Sequence, residues 1–397
     1  MGDYKVALIS HEFPPFLIGG MASHCYDLAY SLSKNKVFTT VFCGMSKRVT
    51  VEKLNPYLEV VRLPCLDLPP RFLWFQIQNF RILSQFLKDF DILHGVNPLA
   101  SAICSYFKKK LRKPFVTSIH EVLLSDLKVF INSPFSEWTL GDFKIHAVAY
   151  PLDEFLVKTC LKSADHVVVC GNSAFRDMKR IYPNLAHEKT SVIYNGINFD
   201  ELDKIVNPAS ERDFSIVYYG RLVWIKGILY LVRAMALLKD DFPNLSLNII
   251  GKGPLEGKIR HWVRRLGLKE KVHIRGYFPR AKLIREIGKS SVVVLPSLYE
   301  VGPFISGLEA MACKKPLVTF DFPFTREFIL SMRNGVLAKA KDVEDLANKI
   351  RLVLSDTKLQ GRLGQNAYEY VKSKHNWDLL VEKYLEIYDN LLRSNHS

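Results

Sequence analysis

The sequence predicts an α/β fold of two doubly wound parallel sheets. Two observations carry the prediction. Apolar runs of strand length alternate with segments whose apolar residues recur at helical spacing, from Lys5 almost to the end of the chain. The alternation runs through twice, and a polar stretch at residues 198–213, with Pro208 in it, separates the two series. Composition agrees. A length of 397 residues suits two or three domains, 48% apolar residues can fill sizeable cores, and 24% charged residues is ordinary for a soluble globular chain.

The first series opens with KVALIS at 5–10, an apolar run that reads as a buried strand. Pro14 and Pro15 then forbid regular structure, and Gly19-Gly20 permits close backbone approach before helical periodicity resumes at Ala22. A strand, a glycine pair and a helix form a cradle for a phosphate or a sugar, because the loop and the helix N-terminus have N–H groups to donate. The spacing does not fit GxGxxG, so the dinucleotide fingerprint is missing. Strands follow at 37–43 and 58–63, and an aromatic-rich helix at 69–90 whose stripe is expected to be mostly core. Strands at 91–94, 115–119, 165–170 and 189–194 complete the series, with helices between. Residues 122–150 read as an irregular, mobile connection, and Asn172 and Ser173 as caps for the helix after them. His120 stands at the C-terminal end of the 115–119 strand, where a side chain can face a ligand; a structural histidine is the plainer alternative.

The second series is organised around FSIVYYGRLVWIKGILYLVR at 214–233. The apolar run 214–219 breaks at Gly220, and helical spacing resumes at Ile228. Arg221 and Lys226 lie between, at the C-terminal end of the strand. Open α/β sheets bind ligands at that end, and two fixed cations beside a helix N-terminus suit a multiply charged anion, above all a diphosphate. A surface turn with solvated cations is the alternative. Strands at 245–250, 272–275, 292–295 and 316–320 follow, and a last helix at about 378–392.

Net charge is +15 and uneven: residues 1–205 hold 24 Lys+Arg against 20 Asp+Glu. Between Lys252 and Lys289 there are 12 basic and 3 acidic residues, which is either a solvated helix face or a docking surface for anionic lipid or a polyanion. The seven cysteines are scattered without a CxxC pair, so buried free thiols in a reducing cytoplasm are expected. No secretory signal and no spanning helix is expected, since no run of 18 apolar residues occurs.

The ordered set GRLVWIKG, IIGKGP and PSLYE…GLEAMACKKPLV resembles the retaining glycosyltransferases of family four. The resemblance covers nearly the whole chain and includes the Gly19-Gly20 loop, His120 and YNGIN at 194–198. It implies the GT-B architecture of two Rossmann-like domains facing across a cleft. Residues 1–205 would bind the acceptor, 206–375 the donor, and 376–397 would be a helix packing back across the domains. Arg221 and Lys226 would bind the diphosphate of a nucleotide sugar, and Glu309 the two ribose hydroxyls. The loop Gly302 to Ile305 would offer the backbone N–H groups of Gly302, Phe304 and Ile305, as would Gly19 and Gly20. His120 would contact the donor sugar, and Glu300 would hold one of its hydroxyls. Glu300 and Glu309 stand nine apart where the family usually has eight. Either one residue bulges or Val301 takes the usual glutamate position. The implied reaction is transfer of a sugar, with retention, to a hydroxyl of a glycan, a small sugar or a lipid-linked saccharide. No metal and no cofactor would be needed, and no nucleic acid partner is expected. The cytoplasm is the expected location, with peripheral contact at an anionic membrane. The alternatives are a nucleotide-sugar epimerase and a non-catalytic relative that binds polyanions or lipid.

Overall fold

The structure is a computed structural model, and it describes residues 4–15, 20–68, 70–120, 122–132, 150–184, 187–205 and 214–396. These fall into two compact units. One holds the described residues up to Leu123, residues 150–195 and the segment from Trp377 on; the other holds 124–132 and Gly196–Asn376.

In the first unit the apolar runs become β1 (Lys5–Ile9), β2 (Phe38–Ser46), β3 (Thr50–Asn55), β4 (Leu58–Pro64), β5 (Ile92–Gly95), β6 (Phe115–Ile119), β7 (His166–Val169) and β8 (Thr190–Val192). They form one sheet in the order β3-β4-β2-β1-β5-β6-β7-β8. Every pair is parallel except β3 with β4. Val6, Leu8 and Ile9 are fully buried, as a central strand covered on both faces requires. β3 is not expected from the sequence. Its residues, TVEKLN, are mostly exposed, and it pairs on one side only, so it lacks the apolar run that marks a buried strand.

The helix Trp377–His396 belongs to this unit. Trp377, Tyr384 and Tyr388 bury their rings in the core that contains Tyr4, Val6 and Leu28. The aromatic helix spans Arg71–Phe86, and its stripe divides: Phe75 and Leu83 are buried, whereas Ile77 and Phe80 are exposed. Asn172 and Ser173 are the first residues of the helix Asn172–Ile181, which follows Gly171 and has no side-chain cap. All seven cysteines are free, and only Cys65 is more than slightly exposed.

Two stretches differ from expectation. Leu123–Ile131 is a helix, not irregular, and the Phe130 ring lies 5.7 Å from that of Trp224. Residues 133–149 lie outside the described residues. The expected linker begins with the helix Phe199–Ile205, held by buried Phe199 and Leu202 and by Asn198 Oδ1, which accepts from Glu201 N–H at 3.3 Å. Residues 206–213 are not described. Thus the longer segment of the second unit starts at Gly196, ahead of the polar stretch.

The second unit contains β9 (Ser215–Tyr219), β10 (Ser246–Ile250), β11 (Val272–Gly276), β12 (Val292–Val294), β13 (Leu317–Phe320) and β14 (Val336–Ala338). The sheet is wholly parallel, in the order β11-β10-β9-β12-β13-β14. Counted within the unit this is the order 3-2-1-4-5-6 of dinucleotide-binding folds. Strand order reverses between β9 and β12, and a crevice opens at such a point beyond the strands' C-terminal ends.

Glycines let the loops at that end close on one another. Gly227, at φ +65°, starts the helix Ile228–Leu238, and a Cβ there would stand 1.9 Å from the Pro296 carbonyl oxygen. Gly251, at φ +149°, touches Gly220 in the same way. Both positions combine a left-handed backbone with no room for a methyl. Gly227→Ala is therefore expected to cost about 2–4 kcal/mol and to lower the thermal midpoint by several degrees. An unchanged midpoint would contradict the close approach.

Candidate active site at the switch point of the second sheet

The crevice is lined by two loops. The first leaves β9 through Gly220 and carries Arg221 and Lys226. The second leaves β12 and carries Glu300 to Ile305. Backbone hydrogen bonds fix the first loop: Leu222 N–H donates to Lys252 O at 2.9 Å, and Leu255 N–H to Leu222 O at 3.0 Å. The second is tied to it by Leu298 N–H donating to Ile225 O at 2.8 Å. Arg221 has an exposed side chain, while its carbonyl accepts from the buried Tyr218 hydroxyl at 3.2 Å. The cation is thus presented outward from a pinned backbone.

Lys226 Nζ forms an ion pair with Glu300 Oε1, joining residues 74 apart in sequence. Both side chains are largely buried, at 22% and 14% exposure. Val301 lies in the bend 301–303 that follows. Phe304 then precedes the helix Ile305–Ala312, with its ring set edge-on to Phe328 at 5.4 Å. The first N–H groups of that helix lack intrahelical partners and point the positive end of its dipole at the crevice. The Tyr219 hydroxyl donates to Ser306 O and anchors the helix's first turn to β9.

Glu309 is buried on this helix, and its Oε1 accepts from Arg280 Nη1 at 2.9 Å. Burial raises its pKa above the usual carboxylate value. Arg280 opposes the rise, and Glu201 adds to it. Arg280 opens the helix Arg280–Lys289, and its Nε lies 3.6 Å from Glu201 Oε2. Neither Arg280 nor Glu201 is marked by the sequence, because each meets its partner only when β11 and β12 are placed in the sheet.

Among the expected site residues, Arg221, Lys226, Glu300, Gly302, Phe304, Ile305 and Glu309 lie in the second unit, where Lys226 meets Glu300. Gly20 and His120 are in the first, and Gly19 lies outside the described residues. Gly20 is exposed at the start of the helix Gly20–Lys34, which follows β1. His120 follows β6, and burial lowers its pKa to about 4. Its ring lies 4.3 Å from that of His24, whose Nδ1 is 3.1 Å from Asn195 Oδ1. His94 is also buried, between the Tyr388 hydroxyl at 2.5 Å and Ser118 Oγ at 2.8 Å, with its pKa lowered to about 3, by burial first and then by His120 and His166. His24 and His94 were not singled out from the sequence, where each lies inside an ordinary apolar segment.

The unfolded chain takes up a proton on each histidine near pH 6.5, whereas the folded unit refuses it until about pH 4 at His120 and about pH 3 at His94. Stability of the first unit is therefore expected to fall as pH drops from 6.5 to 4. Thermal melts across that range should show the slope, and His120→Gln should flatten it; an equal slope in the variant would refute the assignment.

The chain has one Asp-x-Asp, Asp89-Phe90-Asp91, a spacing at which two carboxylates can share a metal. It stands before β5, at the end of the sheet away from ligands, and Asp91 Oδ2 accepts from Lys5 N–H at 2.9 Å. Its place there is structural.

Two open sheets, the first parallel but for its edge strand β3 and the second wholly parallel with cations and a helix N-terminus at its switch point, make an α/β protein of the GT-B type. Residues 18–201 match the family described as Glycosyltransferase Family 4, and residues 199–370 that described as Glycosyl transferases group 1. The two matches run on from one another, and the chain belongs to these GT-B glycosyltransferases of family four. An uncharacterized glycosyltransferase of Methanocaldococcus jannaschii is 27% identical over 97% of each chain. Glycogen synthase of Mycobacterium tuberculosis is 22% identical over 97% of this chain and 94% of that one. Among solved structures, sucrose-phosphate synthase of Thermosynechococcus elongatus superposes with a TM-score of 0.79 at 21% identity, covering 98% of this chain and 100% of the other. HepE of Anabaena, in complex with UDP and glucose, does so at 0.71 and 18% identity over 98% and 100%. At such identities the structural likenesses speak for the fold.

Proposed function

We propose that the protein moves a sugar from a nucleotide-diphosphate donor to a carbohydrate hydroxyl, with retention at the anomeric carbon and without a metal. The observation that carries this reading is the Lys226–Glu300 pair at the switch point, with Arg221 on the same loop as Lys226 and the helix Ile305–Ala312 starting after the loop of Glu300. As the glycosidic bond breaks, negative charge grows on the diphosphate while the sugar becomes oxocarbenium-like. Two cations and a set of N–H dipoles held by backbone hydrogen bonds stabilise that charge without having to reorganise. Glu300, paired with Lys226, exchanges that cation for a sugar hydroxyl when the diphosphate takes Lys226. Glu309 serves the ribose diol. His120, a neutral imidazole at pH 7, serves as a hydrogen-bond partner of the transferred sugar rather than as a cation. HepE, with its UDP and glucose, supports the donor class.

The acceptor extends to lipid-linked saccharides. A Campylobacter jejuni relative named as a diphospho-undecaprenol N-acetylgalactosaminyltransferase, 26% identical over 55% of this chain, supports that class. Exposed Ile77 and Phe80 and the cationic helix Glu256–Arg265 support contact with an anionic membrane on the cytoplasmic side.

The decisive experiment is a thermal-shift panel of UDP, GDP, ADP and their sugars, followed by product analysis with the stabilising donor. A shift with at least one donor, and a product of unchanged anomeric configuration by NMR, are expected. No shift across the panel would remove the donor site, and an inverted product would remove retention. Activity is expected to survive EDTA; loss restored by Mg²⁺ would overturn the metal-free mechanism.

A further inference from the structure

A carboxylate that accepts from a ribose diol must be ionised and held in one orientation. Glu309 meets neither condition by itself. It is buried at 6% exposure on a helix, where desolvation favours the protonated form. A protonated carboxyl loses acceptor capacity and can turn its hydroxyl toward the ligand. The charged and titratable groups facing it are Arg280 from the helix after β11, Glu201 from the helix before β9, the Tyr219 hydroxyl, and the Cys313 thiol just beyond its own helix. Of these, Arg280 alone is a cation, and it bonds directly to Oε1 at 2.9 Å.

We propose that Arg280 is a positioning residue for nucleotide binding: by engaging Oε1 of Glu309 it leaves Oε2 as the fixed acceptor for the ribose hydroxyls. The inference rests on the donor reading of this site. Arg280 suits the task because it cannot lose its charge and its planar fork holds a carboxylate in a defined plane. It is also shared. Its Nε lies 3.6 Å from Glu201 Oε2, so Glu201 draws on the same guanidinium from the opposite side. Glu201 and Glu309 are held close by one cation, and the like charge of Glu201 makes Glu309 harder to ionise. Glu201 thereby limits how firmly Glu309 is kept an anion. Loss of Arg280 and loss of Glu201 act on Glu309 in opposite directions.

The test uses the full chain and the nucleoside diphosphate, among UDP, GDP and ADP, that stabilises the wild type, together with its 2′,3′-dideoxy analogue. Calorimetric affinities are measured from pH 8 to pH 5. The wild type is expected to prefer the ribose form by about tenfold or more, as bonds to a charged acceptor do. Arg280→Met is expected to reduce the preference to within about threefold and to move the acid limit of binding upward. Arg280→Lys should keep part of the preference, and Glu201→Gln should move the acid limit downward. With the donor sugar, Arg280→Met should raise KM far more than it lowers kcat. Full preference and an unmoved acid limit in Arg280→Met, or a Glu201→Gln shift in the same direction, would overturn the inference while leaving the donor site standing. Should Arg280→Met not fold, Arg280→Lys and Glu201→Gln carry the same comparison. No binding of any diphosphate by the wild type would overturn the donor site itself.

Discussion

Lys226→Ala is expected to lower kcat/KM by about 10²–10³, with most of the loss in kcat. Lys226 is not a surface lysine that a mutation leaves neutral: its side chain is 22% exposed and shares a part-buried contact with Glu300. Charge on the leaving diphosphate grows as the bond breaks, so the cation contributes more in the transition state than in the bound ground state. Removing it also leaves Glu300 without its partner, in a place only 14% exposed. The two effects separate by measurement. If the Glu300 carboxylate were the whole cause, Lys226→Ala combined with Glu300→Gln would recover activity. If Lys226 stabilises the leaving group, the double variant stays low while the thermal midpoint recovers. Arg221→Ala should lower kcat/KM to a similar degree with almost no change in midpoint, because its side chain is exposed. Full activity in both variants would rule out the diphosphate site.

Glu309→Ala is expected to raise the donor KM by about 10–100-fold, the range of a hydrogen-bonding pair to a charged acceptor, and Glu300→Ala by less. The ranking follows from what each carboxylate faces. Glu309 lies on a helix tied to Arg280, and its loss leaves that guanidinium with Glu201. Glu300 lies in a loop and is paired with Lys226. Its loss frees a cation for the diphosphate, which offsets part of the weakened sugar contact. Steady-state kinetics on the two single variants decide it. The reverse ranking would mean that the bend at 301–303 sets a different register from the one described.

Much of the fold was legible because buried parallel strands leave continuous apolar runs. β1, β5, β6, β9, β10 and β13 all coincide with such runs to within a residue or two. β3 was not legible: an edge strand pairs on one side, and TVEKLN has no apolar face to betray it. The helix Leu123–Ile131 was missed among the prolines and glycines that follow it, although Leu123, Leu124, Leu127, Phe130 and Ile131 are helically spaced. The polar stretch at 198–213 concealed the helix Phe199–Ile205, whose two buried residues are too few for a periodic signal.

The site divides in the same way. The sequence by itself determined that two cations follow a buried strand, that a glycine starts the next helix, and that a glutamate lies one turn into a later one. These are local facts, set by the 3.6-residue helical repeat and by the conformations that only glycine adopts. The tertiary structure decided that Lys226 meets Glu300 across 74 residues, that Arg280 holds Glu309 and is shared with Glu201, and that His120 lies against His24. Parallel neighbours are joined by crossover helices, so strands adjacent in a sheet are distant in sequence. β9 and β12 lie side by side because of how the helices between them pack on the sheet, and no local spacing records it.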